Sequence, residues 1–450
     1  GVITGRTRWE GDIRIEGDVV VAPEATLVLA NGARIGFESG DVRQAGFDEK
    51  RSELLIYGKL EIEGQVYFSS ADLEGRDSDW GGILLMDGQD IGKNQLIVED
   101  AIWGIVRFRL PEGKTTWNES KILWGDLLVP DNATLVINSG VEILVSPIDL
   151  MFSGISSNFT ELKIDGSLQI NGNAGSPIRI TAQSGVVEEP LWYGIIQTAG
   201  AKVEIQHSKI DRAGYGVYGE VGLEGSFRLA DVELRDFAAS AIRLVLNRDA
   251  EIVRSSMIRS SGPAIRVNGD GQLRLINVEI MGNGREGISI QNCSLYGEQV
   301  YLQSNGSLDA NDLRSGILFK GGFDQNLTLK SSSIKKNSAH GILLLDSFGF
   351  VDIEDSFIGE NGGAGIRVGR ALGVRLDGVK VFGNQEQGIR IDSTNVHFNE
   401  IEVKTNIQHA LKLGLMTTGT ISESYFGEGL GSVLDSVGNI HIENNFFERT

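Results

Sequence analysis

The sequence predicts an all-β solenoid in which short strands coil and stack in parallel, and three observations support this. The string NGGAGIRV at 361 has near copies at 283, 337 and 384, which read NGREGISI, NSAHGILL and NQEQGIRI, and a looser copy at 406, NIQHALKL. A second pattern, VDIEDSFI at 351 and VRLDGVKV at 374, interleaves with the first at the same period. Glycine supplies 59 residues and proline only 7, which is typical of many tight turns between short strands.

The period of the repeat indicates strands and excludes long helices. The Gly or Ala before the apolar pair recurs at a step of about 22 to 25 residues from Gly194 to Ala410, as expected of a repeat architecture. One step, from Gly287 to Gly316, is longer. Within each period apolar and polar residues alternate, and no stretch sustains the 3.6-residue periodicity of a helix. A single coil cannot bury its apolar side, whereas stacked coils enclose one continuous core.

Asn and Gly mark the predicted corner of each coil. Stacking would place Asn305, Asn337, Asn361, Asn384 and Asn406 above one another, so that their side-chain amides form a ladder. The Gly that follows the Asn in the NxxxG string is expected to supply a positive φ or a tight corner at the strand entry. Both residue types are therefore interpreted as structural.

The part of the chain before residue 190 contains an internal duplication. ATLVLANGARI at 25 matches ATLVINSGVEI at 133, and LLIYGKLEIEG at 54 matches LKIDGSLQING at 162, so both matches have the same offset. WEGDI at 9 is taken as the counterpart of WGDLL at 124. We predict an N-terminal block over 1–118 that holds a cap and the first copy, a second copy over 119–200 that continues into the solenoid, and regular coils over 201–450.

Composition excludes several classes of function. The net charge of −20 disfavours general binding to nucleic acid or to an anionic membrane. No apolar run reaches 18 residues, so no transmembrane segment is expected. Cys293 is the only cysteine, which rules out an internal disulfide and a cysteine-rich zinc site. We expect a secreted or cell-surface protein, and the first residues are compatible with a mature secreted chain.

The period, together with the NxxxGIxV and VxIxDSxI strings, resembles right-handed parallel β-helix proteins of the pectin-lyase-like kind. The resemblance covers residues 190–450 and implies a right-handed parallel β-helix with coils of about 22–25 residues. It also implies that polysaccharide lyases, hydrolases and epimerases must be considered. The Asn-Thr-Asp, Asp-Asp, Gly-His-Gly and Arg-Ile-Lys motifs of the hydrolases and the Asp-Pro-His motif of alginate epimerases are absent from this sequence.

The sequence therefore predicts an extracellular or cell-surface scaffold or binding module, with glycans as ligands and without an evident catalytic motif. One alternative is a calcium-dependent polysaccharide lyase or a related uronate-active enzyme, whose motifs are too weak to exclude. The other is a structural assembly, filament or adhesin component. An uncovered last coil is an open sheet edge, so self-association or a further domain is expected at the C-terminal end.

Candidate ligand-binding residues occupy the variable position of the GIRV string, which is expected to face outward. Cations fall there in two runs of neighbouring coils, namely Arg243 and Arg266, then Arg367, Arg390 and Lys412. Stacked guanidinium groups could bind the carboxylates or sulfates of an extended glycan. The alternative is that neighbouring acids such as Glu386 and Asp392 neutralise them.

Three further sets of residues are candidates. The long step contains QSNGSLDANDLRSG, a protruding loop that carries Asp309, Asp312 and Arg314. DLEGRDSDW gathers Asp72, Glu74, Asp77 and Asp79, which could hold Ca²⁺ but lack the spacing of an EF-hand. No cofactor is required by this interpretation, although calcium is possible. Aromatic residues that could stack on sugar rings are Trp117, Trp192, Tyr193, Tyr215 and Tyr218.

Overall fold

A computed structural model describes most of the chain. The described residues are 1–44, 46–72, 79–89, 91, 95–147, 149–151, 153–183, 192–307, 314–322, 324–346, 349–427, 434–436 and 439–448. They form 47 strands and, within these ranges, no helix.

The strands are short and follow one another closely along the chain. The first twelve are β1 (Val2–Ile3), β2 (Arg6–Trp9), β3 (Asp12–Ile15), β4 (Val19–Val21), β5 (Thr26–Leu29), β6 (Arg34–Phe37), β7 (Glu53–Ile56), β8 (Lys59–Ile62), β9 (Val66–Ser70), β10 (Gly82–Leu85), β11 (Leu96–Val98) and β12 (Ile105–Arg107). The next nine are β13 (Gly113–Trp117), β14 (Lys121–Leu123), β15 (Leu127–Val129), β16 (Ala133–Asn138), β17 (Glu142–Val145), β18 (Glu161–Ile164), β19 (Ser167–Asn171), β20 (Ile178–Ala182) and β21 (Gly194–Gln197). The remainder are β22 (Lys202–Asp211), β23 (Tyr215–Val221), β24 (Ser226–Arg235), β25 (Ser240–Leu246), β26 (Ala250–Val253), β27 (Ser256–Ile258), β28 (Ile265–Asn268), β29 (Gln272–Met281), β30 (Ile288–Gln291), β31 (Ser294–Gln303), β32 (Ile317–Lys320), β33 (Leu327–Lys330), β34 (Ser333–Lys335), β35 (Ile342–Leu344), β36 (Phe350–Glu354), β37 (Phe357–Gly359), β38 (Ile366–Asp377), β39 (Lys380–Phe382), β40 (Ile389–Asn399), β41 (Glu402–Lys404), β42 (Leu411–Leu413), β43 (Thr418–Ser422), β44 (Tyr425–Gly427), β45 (Leu434–Ser436), β46 (Asn439–Glu443) and β47 (Phe446–Phe447).

Parallel pairing between successive coils builds the molecule. Strands β1 to β12 form sheets of five, four and three strands, and β13 to β47 form one sheet of 35 strands. Each strand pairs with the strand one coil further on, as β25 does with β28 and β28 with β30. The prediction of an all-β parallel solenoid is confirmed.

The hydrophobic core follows the alternation of the strands. In β29 the residues Leu273, Leu275, Val278 and Ile280 are buried while the intervening side chains are more exposed. One cluster of buried apolar residues extends from Leu110 to Phe426, a second from Trp9 to Leu85, and a small third cluster draws its members from 84–150. The division of the chain at 118 and 200 stays a prediction.

A ladder of buried asparagines connects six coils. Its members are Asn283, Asn305, Asn337, Asn361, Asn384 and Asn406. Each side-chain amide before the last donates to the Oδ1 of the next member at 2.8–3.1 Å. Each backbone N–H before the last donates to the same oxygen at 3.0–3.2 Å. The predicted ladder is confirmed, with Asn283 as an additional rung.

The glycines of the repeat are needed for close packing. A Cβ at Gly365 would lie 2.7 Å from the carbonyl oxygen of Gly388 and 2.8 Å from the amide nitrogen of Asn384. The same contacts recur at Gly341. Neither glycine has a positive φ, so of the two predicted reasons only the tight corner applies. The left-handed conformation belongs instead to the residue before each ladder asparagine.

The duplication is visible in the strands. The second copy repeats β4, β6 and β7 as β15, β17 and β18, all at the offset of the matching strings. Trp80 and Trp192 are also equivalent, both buried and donating from Nε1 to a backbone carbonyl. The proposed match of WEGDI with WGDLL is wrong, because Asp126 precedes β15 and its counterpart is therefore Asp18, which precedes β4.

Candidate functional site

The variable residues of the GIRV strings form one column along the solenoid. The register places them side by side in the order Tyr218, Arg243, Arg266, Ser289, Leu318, Leu343, Arg367, Arg390 and Lys412. Neighbouring members are about 4.8 Å apart along the axis, because that is the spacing of paired strands. The column therefore brings Arg243 next to Arg266, and Arg367 next to Arg390.

Arg243 and Arg266 are exposed and lie beside a cluster of tyrosines. Arg243 donates from Nη1 to the hydroxyl of Tyr215 at 3.1 Å, and its guanidinium lies 5.5 Å from the ring centre of Tyr218. This cation–π contact orients the guanidinium without neutralising its charge. Among the described residues, no carboxylate forms an ion pair with either arginine.

Two more arginines complete the basic surface. Arg285 and Arg314 line a cavity of about 340 Å³ together with Arg243 and Arg266. We call these four residues the arginine cluster. Arg314 is buried and donates to the carbonyl oxygen of Gly284 at 3.4 Å, which fixes its position.

Sequence reasoning included Arg314 because of the long loop but missed Arg285. That residue is in the corner string NGREGISI, which was interpreted as purely structural. Its position in the sequence could have indicated this role, because it lies shortly before Gly287 in the corner that leads to Ser289, a member of the column.

A second cavity adjoins the first. It measures about 510 Å³ and shares Arg243 and Arg266 with the first cavity, and Lys320 lies on its wall. Its lining also includes Tyr218, Glu220, Asn268, Ser289, Gln291 and Ile155. We call the two cavities together the groove. In the described part of the chain its lining contains four arginines, one lysine and a single carboxylate, so it reverses the sign of the overall charge.

Three tyrosines pack against one another beside the groove, with their rings tilted or edge-on. The ring centres of Tyr193 and Tyr215 are 5.5 Å apart, and those of Tyr215 and Tyr218 are 4.9 Å apart. Burial raises the pKa of Tyr193 to about 12, so its hydroxyl stays neutral at physiological pH. Trp192 is buried in the core and unsuited to stack on a ligand, and Trp117 packs against the core.

The second run of cations differs from the first. Arg390 pairs with Asp392 at 2.9 Å, as the alternative interpretation of the sequence predicted. Arg367 lies with Nη1 3.4 Å from Nε2 of the buried His340. Leu318 and Leu343 separate the two runs, and they are only 5% and 2% exposed. The expectation that this position faces outward is wrong for the two leucines, so the cations form two separate patches.

The remaining candidates are only partly described. Asp309 and Asp312 lie outside the described residues, as do Glu74 and Asp77. The backbone N–H of Asp72 donates to Ser70 Oγ at 3.2 Å, and that of Asp79 donates to a backbone carbonyl. Within the described ranges, no group of three or more His, Cys, Asp or Glu side chains is arranged to hold a metal. Calcium binding stays a prediction.

Three solved structures are similar to this chain over much of its length. The A-module of mannuronan C-5 epimerase AlgE4 from Azotobacter vinelandii is 13% identical, with a TM-score of 0.43 over 70% of this chain and 91% of the epimerase chain. A double mutant of the periplasmic alginate epimerase AlgG is 11% identical, with a TM-score of 0.49 over 73% of this chain and 78% of that one. Pectate lyase Pel9A is 14% identical, with a TM-score of 0.30 over 66% and 70%. At these identities and TM-scores none of the three supports an argument about what this chain does.

The chain was also compared with curated proteins and with models of protein families. A search of curated proteins found no match. Among the described residues there is no helix with the length and apolar character that spanning a membrane requires. The pattern of the family described as "Right handed beta helix region" matches residues 193–349 and 263–448, which together span more than half of the sequence. The chain therefore belongs to the right-handed β-helix family.

Proposed function

We propose that this protein is a secreted or cell-surface β-helix that binds acidic glycans in the groove beside the arginine cluster. The observation that carries the proposal is the convergence of four arginines on one cavity in a chain of net charge −20. Arg243 and Arg266 have no described carboxylate as ion-pair partner. Their guanidinium groups are therefore available for charge-assisted hydrogen bonds to a ligand.

The shape of the groove favours an extended acidic ligand. The two cavities share Arg243 and Arg266, so a chain that passes through both meets a guanidinium at each of two neighbouring coils. The tyrosines beside them offer ring faces and edges on which a sugar ring can pack. Sulfate esters and uronate carboxylates can both accept paired hydrogen bonds from the planar guanidinium groups of two arginines.

The test compares binding of uronate and sulfated oligosaccharides by wild type and by the double variant Arg243→Ala/Arg266→Ala. Hydrogen bonds to charged groups are worth roughly 1.5–3 kcal/mol each, so we expect affinity to fall by more than tenfold. We also expect wild-type affinity to weaken as salt is added, because exposed charges are screened. Isothermal titration calorimetry provides the measurement.

Two control variants sharpen this test. Arg254→Ala/Arg259→Ala removes two exposed arginines that pair with Asp231 and Asp236 outside the groove, and it should leave affinity unchanged. Arg367→Ala/Arg390→Ala should have a smaller effect than the first double variant, because Arg390 is already paired. Equal losses in all three variants would contradict the proposal, as would wild type that binds none of these glycans.

The enzymatic alternative is tested in the same samples. A lyase acting on uronates releases unsaturated products that absorb in the ultraviolet. Incubation of the wild type with the bound glycan, with and without calcium, should give no such absorbance if the groove only binds. Sustained product formation would replace the binding proposal with a catalytic one.

A further inference from the structure

Two clusters of buried carboxylates occupy equivalent positions in the two duplicated blocks. The first carboxylate clip consists of Asp18, Asp41 and Glu53, and the second carboxylate clip consists of Asp126, Asp149 and Glu161. Each member of the second clip follows its counterpart at the offset of the duplication. Five of the six residues are at most 9% exposed, which is unusual for carboxylates. Neither clip forms part of the groove, so a separate role has to be found for them.

In the second clip, two aspartates hold a loop that follows β17. Asp149 accepts hydrogen bonds from the backbone N–H groups of Asp126, Met151 and Ser153, at 3.3, 2.9 and 3.1 Å. Asp126 accepts one from the hydroxyl of Ser153 at 2.8 Å and one from the N–H of Glu161 at 2.9 Å. These bonds tie the loop to the residue that precedes β15 and to the first residue of β18.

Glu161 holds the far side of the same loop. Its Oε1 accepts the N–H groups of Ile155 and Ser156. A Cβ on Gly154 would lie 2.0 Å from that oxygen, so the loop backbone packs directly on the carboxylate. Its Oε2 is buried without a hydrogen-bond partner among the described residues. An ionised carboxylate in this position would leave part of its charge uncompensated.

The first clip repeats this arrangement. Glu53 accepts the N–H groups of Phe47 and Asp48, each at 2.8 Å, and its own N–H donates to Asp18. Gly46 packs against Glu53 as Gly154 packs against Glu161. The same contacts between carboxylates and loop backbone are therefore present in both duplicated blocks.

Within the described ranges, the second clip is connected to the groove and the first is not. Ile155 follows Gly154 and lines the cavity of about 510 Å³ together with Arg243 and Arg266. This isoleucine is 53% exposed, so the hydrogen bond from its backbone to Glu161 is what fixes it there. The position of this wall of the groove therefore depends on the clip.

Burial, together with the neighbouring negative charges, favours a bound proton at the second clip. Burial raises the pKa of Asp126 to about 7, with the hydrogen bond from Ser153 opposing the shift and the charges of Asp149 and Glu161 adding to it. Burial also raises the pKa of Glu161. Lys163 is the cation that opposes this shift at Glu161, and its side chain is 44% exposed. The other titratable neighbour is Tyr193, which is neutral in this range.

We propose that the second carboxylate clip is a proton-operated latch, which holds the Ile155 loop against the groove when protonated and releases it when ionised. This inference rests on the proposed function of the groove. In mildly acidic solution the latched loop completes the binding wall. As the pH rises through the pKa of the clip, two or three negative charges share a buried space, and the loop loses its preference for the closed position.

Hydrogen–deuterium exchange tests the latch without any ligand. In the full chain, the protection factors of the Ile155 and Ser156 amides, corrected for intrinsic exchange, should fall about tenfold or more from pH 5.5 to pH 8.5. Asp126→Asn keeps the hydrogen bond to the N–H of Glu161 but removes one of the titrating carboxylates, so the fall in protection should be clearly smaller than in wild type. Glu161→Gln serves as a second variant should the first fold poorly. Protection that does not change with pH in wild type would overturn the proposal.

Glycan binding tests the coupling to the groove. Affinity for an oligouronate, which stays ionised at both pH values, should be about tenfold higher at pH 5.5 than at pH 8.5 in wild type, and this difference should be clearly smaller in Asp126→Asn. Asp18→Asn in the first clip is the matched control and should retain the wild-type dependence. An equal effect of both substitutions would overturn the coupling. If no glycan binds at either pH, the proposed function fails, whereas the exchange data still decide the latch.

Discussion

At the scale of single residues, the corners of the coils depend on a backbone conformation that most side chains avoid. The residue before each ladder asparagine has a positive φ, with values of 57° at Glu360, 66° at Gly383 and 58° at Thr405. For residues other than glycine this left-handed conformation costs roughly 1–2 kcal/mol. Thr405 is β-branched, which makes it the least suitable of these residues. The corner is maintained because the ladder and the core hold both of its ends.

This strain predicts opposite effects for two substitutions at equivalent corners. Thr405→Gly should raise the free energy of unfolding by about 0.5–1 kcal/mol, since the relief of strain exceeds the entropy that glycine loses on folding. Gly383→Thr, one coil earlier, should lower it by about 1–2 kcal/mol. Denaturant titrations of the two variants beside wild type give both values. Changes of the same sign would contradict this account of the corner.

The residue scale also shows where sequence reasoning succeeds and where it does not. The arginine column could be predicted, because parallel strands in register place equal repeat positions side by side. The burial of Leu318 and Leu343 in that same column could not, since it depends on what covers the face rather than on the repeat. Arg285 was missed for a related reason: corner residues look alike in sequence, and only the fold shows which of them line a cavity.

At the scale of structural elements, the asparagine ladder is a single hydrogen-bonded unit. Each inner rung donates its amide to the next rung and accepts two N–H donors from the previous one, as Asn337 does from Asn305. The whole ladder is buried, so polar groups freed by a missing rung find no water to replace it. Neighbouring coils are therefore linked by side chains as well as by their strands.

Removal of a middle rung should thus be costly. Asn337→Ala removes the acceptor of the backbone N–H of Asn305 and of one of its two amide hydrogens, the other amide bond being to the carbonyl of Ile280. Each buried unsatisfied group costs roughly 1–3 kcal/mol. We expect the free energy of unfolding to drop by about 3 kcal/mol. Asn132→Ala, at an exposed turn, is the matched control and should change it by less than about 0.5 kcal/mol. Similar losses in the two variants would show that the ladder adds nothing specific.

The carboxylate clips mark the limit of prediction at the element scale. The offset of the duplication was apparent from the apolar strings, and the strands it predicted are present. The acids lie at the ends of those strings or in loops without periodicity, so nothing in the pattern distinguished Asp126 or Glu161 from solvated surface residues. Their burial results from loops that fold back over them, which is a tertiary effect.

At the scale of the whole molecule, the coils interact mainly with their nearest neighbours, as in other solenoid proteins. A perturbation in one block is therefore expected to stay local unless it alters a surface that another block uses. The second clip is such a case, since its loop lines a groove built mainly from later coils. The first clip lacks this connection, which is why it is a suitable control.

The free energy of unfolding of the whole chain should fall as the pH rises. Carboxylates whose pKa is lowered by folding have the reverse effect. Burial raises the pKa of Glu53 from 4.5 to about 8 and that of Asp126 from 3.8 to about 7. At pH values between the ordinary and the raised pKa of each group, the folded chain holds a proton that the unfolded chain has released. The free energy of unfolding therefore falls as the pH rises through this range. The contribution is complete below about pH 4 and is lost by about pH 8.

Thermal unfolding between pH 5 and pH 8.5 should therefore give a melting temperature that decreases steadily. Each pKa unit corresponds to about 1.4 kcal/mol, so the two clips together weaken the fold by several kcal/mol over this range. General repulsion among the acids of this chain cannot produce the slope, because unperturbed carboxylates are already ionised at pH 5. The double variant Asp126→Asn/Glu53→Gln isolates the contribution of these two carboxylates. Its melting temperature should decrease much less than that of wild type over this range, and an undiminished slope would assign the effect to groups other than Glu53 and Asp126.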